Sequence, residues 1–427
     1  MKRDTIPIVS SQKLMAAASL LYGAVAALDI YPLLGQRTIG SVYSLIFISL
    51  VILWKRPGPA FQPAQRLIIA AGFGFFVWST VSALWAPPQS EVIERFISLA
   101  QACTTFGALM LVTPFFRRWI TIGLALGATL AALILFTQGE TGVNGRLSFG
   151  TVDENITAYT FSLGIAAYIA IINRRSTLLL CIAPIAVLFL ATVQTGSRTG
   201  LAAILVTIVI YPLIVFRRRL GRSLAELSLI VVFLIALREF AIRWEATPDR
   251  LRPLFEGDTS ISDSGRSAIT DQYMQFIDEW WLFGTGLAGG NDFIQSKVAL
   301  FSDSVHNTVL RVWIETGVIG LILLLAVYAF TLYNGIATPQ IQRYLVIIVP
   351  TLVFSLSLGG LELSSSFWTS IALVAGSAPG QLGSPSIEDH RRARPRFRVQ
   401  APRTAISTEH LASATNRSDT MSIADWG

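Results

Sequence analysis

His306, Arg146, Arg198 and Arg266 are the residues whose types and settings could do chemistry together. The chain has three histidines. His390 and His410 stand in a polar C-terminal stretch, so His306 is the histidine of the apolar body, where a long polar segment meets an apolar run. Arg198 stands in the short turn TGSRTG, residues 195–200, between two apolar runs. A charge at the bilayer centre costs ~2.5–3.5 kcal/mol on insertion scales and less at the surface, so a guanidinium held near lipid has a partner or a function. The competing reading is a side chain snorkelling to headgroup phosphates. Arg146 lies in the loop 137–156 and Arg266 opens an amphipathic stretch; for these two an ordinary exposed charge is the simpler reading. Three guanidiniums and one imidazole, with no obvious acidic metal cage, suit a phosphate-bearing substrate. Arginine grips phosphate oxygens in bidentate fashion and keeps its charge. A histidine can be neutral at working pH and take a proton from a hydroxyl.

The elements that must position these residues are apolar helices. Of 427 residues, 53% are hydrophobic and 14% charged, against about 25% charged in an ordinary soluble protein. Apolar runs of roughly 17–25 residues recur from Leu14 to about Ala378, each long enough to cross ~30 Å of hydrocarbon. Lipid offers the backbone no hydrogen-bond partners, so the runs read as helices. The fold class expected is an all-α polytopic membrane protein with about twelve spans: 14–34, 38–54, 66–86, 92–113, 118–136, 157–173, 177–194, 200–216, 224–241, 310–333, 342–358 and 364–378. The net charge of +7 does not point to nucleic acid, because the basic residues sit in short connections and in the tail, as topology signals do. With the N-terminus cytoplasmic, Lys55, Arg56, Arg117, Arg118, Arg174, Arg175, Arg217 to Arg219 and Arg343 all fall inside. The connections 86–91 and 359–364 carry Glu91 and Glu362 and no basic residue. Both termini are then cytoplasmic, and residues 1–11 read as carrying no cleaved leader. Cys103 and Cys181 fall within spans and read as small core residues.

Two segments break the pattern. An outside loop is expected at about 242–305, inside a transmembrane domain of residues 1–378. Within it, Ile269, Tyr273, Phe276, Ile277, Trp280 and Trp281 recur at helical spacing, with Asp263 or Ser264 as cap. That helix either lies at the membrane surface with its tryptophans toward lipid or packs on its loop neighbours. Residues 379–427 read as a disordered basic cytoplasmic tail, with Arg391, Arg392, Arg394, Arg396, Arg398 and Arg403 available to anionic headgroups.

The motifs resemble the O-antigen ligase and polysaccharide polymerase family of bacterial inner membranes. HNTVLRVWIETGVIG, residues 306–320, is similar to the family's pattern of His-Asn, a leucine three residues on, then Glu-x-Gly-x-x-Gly, here His306, Asn307, Leu310, Glu315, Gly317 and Gly320. The stretch 264–290 resembles an arginine, amphipathic helix and Gly-x-Gly, with Arg266 in the arginine position. TGSRTG resembles a Ser-Arg turn. RLSFGTVDENITAY, residues 146–159, resembles an arginine followed by Pro-Asn, but Glu154 replaces that proline before Asn155. The resemblance implies glycan transfer from an undecaprenyl-diphosphate donor at the periplasmic face. The acceptor would be lipid A–core for a ligase or a lipid-linked glycan for a polymerase. Arg198 and Arg266 would stabilise charge growing on the leaving diphosphate. Arg146, Asn155 and Asn307 would bind substrate, and His306 would be the general base of an inverting transfer that uses neither metal nor cofactor. Trp280, Trp281 and Trp313 read as interface anchors before sugar platforms, and Glu315 as a structural partner of Arg311 one turn earlier. A secondary transporter or glycan flippase is the reading from another class. Its charges would be expected nearer the bilayer midplane.

Overall fold

A computed structural model of the chain describes residues 8–28, 32–34, 37–54, 61–88, 91–141, 145–149, 153–172, 175–215, 266–298, 305–339 and 341–376, with single positions between 228 and 251. The expected span 224–241, the proposed helix caps Asp263 and Ser264, and the tail 379–427 lie outside the described residues, apart from isolated positions in that span.

The apolar runs fold as helices. α1 (Ile8–Ala27) ends earlier than its apolar run, before Pro32, whose ring cannot continue a helix. A small antiparallel hairpin follows, Pro32–Leu34 with Arg37–Thr38. α2 (Ile39–Leu53) and α3 (Pro63–Ser82) come next. α3 opens with Pro63 at its first position and with the Gln62 amide donating to Gln65 Oε1 at 2.9 Å. The Gln65 amide nitrogen reaches on to the Ala375 carbonyl, so one side chain closes the start of one helix and the end of another.

α4 (Val92–Gln138) joins two expected spans. Where Arg117 and Arg118 were expected in a connection, the chain breaks only at Phe116 (φ −123°, ψ 16°), two residues after Pro114. Proline removes a ladder hydrogen bond and kinks the helix there. Arg117 is accommodated over the Tyr344 ring, 5.1 Å from its centroid. α1 and α4 approach through small residues. A Cβ on Gly23, Gly123 or Gly127 would run into the facing backbone of Ile120, Leu20 or Ala24, the close contact that glycines four apart permit between helices.

α5 (Glu154–Ile171) is buried around most of its circumference, as an apolar helix at a bundle centre must be. α6 (Arg175–Gln194) and α7 (Arg198–Val215) follow. Three short helices, α8 (Arg266–Met274), α9 (Ile277–Trp280) and α10 (Gly290–Lys297), precede α11 (Thr308–Ala337). A 3-10 segment, Gln342–Ile347, leads into α12 (Ile348–Ser355), and a second, Leu361–Leu363, into α13 (Ser365–Ala375). Trp368 of α13 is surrounded by the rings of Phe75, Phe76, Phe106 and Phe367 at 4.6–6.2 Å, which ties α3, α4 and α13 together. Buried hydroxyls pair across helices: Tyr22 with Thr369, Tyr159 with Thr351 and Tyr328 with Ser355.

Among the described residues, Pro63–Trp85, Val92–Gln138 and Thr308–Ala337 are long and apolar enough to cross a membrane, and shorter apolar helices accompany them. Large side chains such as Ile52, Leu84, Ile93 and Leu180 face outward, where lipid solvates them without the cost that water would impose. Cys103 is half-buried, Cys181 is buried, and both are free thiols.

Candidate functional site

Arg146 is buried beside the turn that starts α7. Its Nε donates to the Thr195 carbonyl at 2.8 Å, and its Nη1 lies 3.3 Å from Glu154. Gly196, at φ +63°, lets the chain pass the arginine stem, which a Cβ there would meet at 3.0 Å. Ser197 accepts from the Gly200 amide, the N-cap bond of α7, and donates to Asn155 Oδ1 at 2.9 Å. Asn155 is in turn placed at the start of α5, where Asp153 accepts its backbone amide at 2.6 Å. Arg146, Asn155 and Arg198 therefore gather where two helices start. Glu154, which stands where the resemblance expected proline, is the ion partner of Arg146. Arg198 is the first residue of α7 and half-buried. A cation there stands against the helix dipole, and guanidinium and helix end together favour an anion.

His306 is half-exposed in the bend before α11. Asn307 caps the helix, its Oδ1 accepting from the Leu310 amide at 3.0 Å; that oxygen is committed to the backbone. Thr308 Oγ1 donates to the Leu358 carbonyl and accepts from the Leu361 amide, and the Val305 carbonyl presses on Gly359. The histidine turn is thus stitched to the turn 358–361. Inside α11, Gly317 sits at φ +67°, a conformation that L side chains seldom adopt. The kink frees the carbonyls of residues 314–316, and three donors take them: Thr285 N to Ile314, Gly286 N to Glu315, and Trp78 Nε1 to Thr316. The Gly-x-Gly of residues 284–286, both glycines at positive φ, is the loop that reaches in.

A charge cluster stands behind the histidine turn. Arg311 Nε pairs with Glu315 Oε1 at 2.9 Å, as the sequence expected, and Glu315 Oε2 accepts from the Ala288 amide at 3.3 Å. A Cβ on Gly360 would meet Nη1 of Arg311 at 2.9 Å and Nη1 of Arg95 at 3.7 Å, so both guanidiniums lie beside that turn. Glu362, in the next turn, is 4% exposed. Burial pushes its carboxyl up to about 7; Arg311 pulls it down and Glu315 adds to the rise. In the sequence Glu362 stands only as an acid in an outside connection, with no motif to place it in a site. Among the described residues, no group of three or more His, Cys, Asp and Glu side chains is set to hold a metal ion.

A cavity of about 80 Å³ is walled by α5 and the turn 358–361, and none of Arg146, Arg198 and His306 lines it. It is lined by Ile156, Tyr159 and Thr160 of α5, by the turn 358–361, and by Ser364 and Ser366. Asn155 precedes one wall, and Val305 and Arg311 abut the other. The stretch expected as one helix near 265–281 is two, α8 and α9, split at residues 275–276. Trp280 is buried, edge-on to Trp313 at 5.2 Å, with its Nε1 bonded to the Tyr273 carbonyl. It packs with Ile269, Leu310 and Ile314, so this tryptophan follows the packed alternative, while Trp281 remains exposed. Its indole burial against α11 outweighs any gain at a lipid surface. Arg266 opens α8; its side chain lies outside the described residues.

Membrane-length apolar helices, with Arg146 and Arg198 gathered where two helices start and His306 in the bend before α11, define a helical membrane protein. Residues 183–325, about a third of the chain, match the family described as O-antigen ligase, and this match supports the likeness to the O-antigen ligase and polymerase family. Members are glycosyltransferase-like enzymes, ligases or polymerases. The match spans Arg198, Arg266, His306 and Asn307 and begins after Arg146 and Asn155. No match was found among curated proteins.

Proposed function

We propose that the protein transfers a glycan from an undecaprenyl-diphosphate donor to an acceptor hydroxyl at the periplasmic face of a bacterial inner membrane, with lipid A–core as the acceptor. The observation that carries this reading is the O-antigen ligase match over residues 183–325, which takes in Arg198 at a helix start and His306 in the bend before α11. His306 accepts the proton of the attacking hydroxyl. The hydroxyl oxygen bonds to the anomeric carbon, the carbon–oxygen bond to the diphosphate breaks, and the diphosphate leaves with the electron pair. Arg198 and Arg266 hold the charge that grows on it, and Arg146, Asn155 and Asn307 shape the surrounding wall. Removing one such donor from a charge-stabilising site typically costs about 10²–10³ in kcat.

In purified protein, transfer from the lipid donor is expected to continue with EDTA present and to be lost in His306→Ala; full activity of that variant would sink the general-base role. A deletion strain separates the acceptors. Loss of long chains from lipid A–core with lipid-linked polymer still accumulating marks a ligase, whereas loss of the polymer itself marks a polymerase.

A further inference from the structure

The glycan-transfer reading leaves one buried carboxyl unused. Glu362 sits in the turn Leu361–Leu363, and its Oε2 meets no hydrogen-bonding group among the described residues. Its main-chain carbonyl is fixed by Trp368 Nε1 at 2.7 Å. At Oε2 the carboxyl has lost its water without gaining a donor, which favours the neutral acid, and the bond from the residue's own backbone and the attraction of Arg311 offset only part of that. The groups that face it come from several elements. On α11, Arg311 attracts it, Glu315 repels it, and the Tyr328 phenol feels its charge. Glu362 also lines a second, much smaller cavity, with Arg95 of α4, Ser79 and Phe75 of α3, Glu315 of α11 and Leu287 of the glycine loop. Glu91, at the start of α4, acts on Arg311. One dehydrated arginine, with its Nε already taken by Glu315, therefore faces two carboxylates that repel each other. Two such acids do not both ionise without cost.

We propose that Glu362 is a proton-exchange site whose charge state sets how Arg311 acts on the histidine turn. The connection is short. The Arg311 amide donates to the Asn307 carbonyl at 2.8 Å, and its guanidinium reaches Gly360 in the turn that Thr308 stitches to α11. A proton exchanged with solvent forms the O–H bond on Glu362 when the acid is neutral and returns to solvent when it ionises. With Glu362 neutral, this end of the bundle carries one negative charge fewer than with it ionised. An anion near His306 binds the protonated form more tightly, and by linkage its arrival draws a proton onto Glu362. Only this last consequence rests on the glycan-transfer reading.

The test uses the full chain in lipid nanodiscs and pH-difference infrared spectroscopy of protonated carboxyl groups. A carbonyl band titrating near 7 is expected, and it should vanish in Glu362→Gln. Glu315→Gln removes the like charge, so the midpoint should move to lower pH. A band that survives Glu362→Gln, or a midpoint that does not fall in Glu315→Gln, overturns the proposal; if Glu362→Gln does not fold, the second variant decides. With lipid donor, KM is expected to rise as pH passes through that midpoint and to stay flat in Glu362→Gln, the change falling on KM rather than kcat. A flat KM in the unaltered protein overturns the coupling to Arg311. A band that titrates as expected in a protein that transfers no glycan supports the proton site and defeats the enzyme reading.

Discussion

Ser197 shows how much one small side chain can organise. It caps α7 through the Gly200 amide and holds Asn155 by a second bond. Ser197→Ala is expected to cost about 1 kcal/mol for the cap and to loosen Asn155, read as a lower unfolding temperature together with reduced transfer. Glu154→Gln should cost at least as much, because Arg146 is buried and the change removes the anion 3.3 Å from its guanidinium, leaving a desolvated cation without that counter-charge. Glu362 makes a pH prediction with a definite sign. Its folded carboxyl, at about 7 against an ordinary 4.5, binds a proton more tightly than the unfolded chain does. The folded state therefore holds more protons between those values, and stability falls as pH rises through that window. Thermal unfolding followed across the window should show the decline in the unaltered protein and a flatter profile in Glu362→Gln. The candidate residues were visible as types at spacings, but the partners of Ser197, Glu154 and Glu362 were not. Their roles arise from groups 42, 8 and 51 positions away in the chain, in the Ser197–Asn155 bond, the Arg146–Glu154 pair and the Arg311–Glu362 attraction, and no local pattern encodes such distances.

Among the elements, the kink in α11 controls the most. Gly317 combines a positive φ with a position where a Cβ would strike the Leu282 carbonyl. Gly317→Ala must pay about 1–2 kcal/mol for the left-handed backbone and displace the glycine loop as well, so a large drop in unfolding temperature and loss of transfer are expected. Ala288 is the opposite case. It sits at φ +63° with a side chain, so Ala288→Gly should be neutral or slightly stabilising, since relief of ~1–2 kcal/mol of strain exceeds the ~0.5–1 kcal/mol entropic cost of glycine. Denaturation of the two variants side by side checks the sign. The Gly-x-Gly and Glu-x-Gly patterns marked both strands of this arrangement in the sequence. That the first supplies donors to the carbonyls released by the second became apparent only when they were brought into contact. Hydropathy likewise placed a break between residues 113 and 118, where α4 kinks at Phe116, but could not say that the helices on either side run on with a single non-helical residue between them.

At the scale of the molecule, the basic residues and apolar runs make a topology that labelling can check. In a background with Cys103 and Cys181 replaced by alanine, Gln89→Cys is expected to react with an impermeant thiol reagent from the periplasmic side, and Arg174→Cys only after the inner membrane is disrupted. The reverse pattern would turn the orientation over and place His306 on the wrong face for a lipid-linked periplasmic donor. The assembly also depends on close approach of α1 and α4. Gly123→Leu, whose side chain has no room against Leu20 and Ala24, should separate those helices and lower the yield of folded protein in mild detergent.

Composition by itself determined that this chain is a helical membrane protein, because a run of apolar residues long enough to span hydrocarbon has helix as its low-cost backbone solution. The sequence also singled out His306 and the arginines, since charges and a lone imidazole stand out against an apolar background. Tertiary structure alone decided what surrounds them: Arg146 buried against Glu154 rather than exposed, Trp280 packed on α11 rather than facing lipid, and Arg311 facing two glutamates. Burial and electrostatic environment depend on which helices meet, and that is set by side-chain fit between distant segments rather than by any local period.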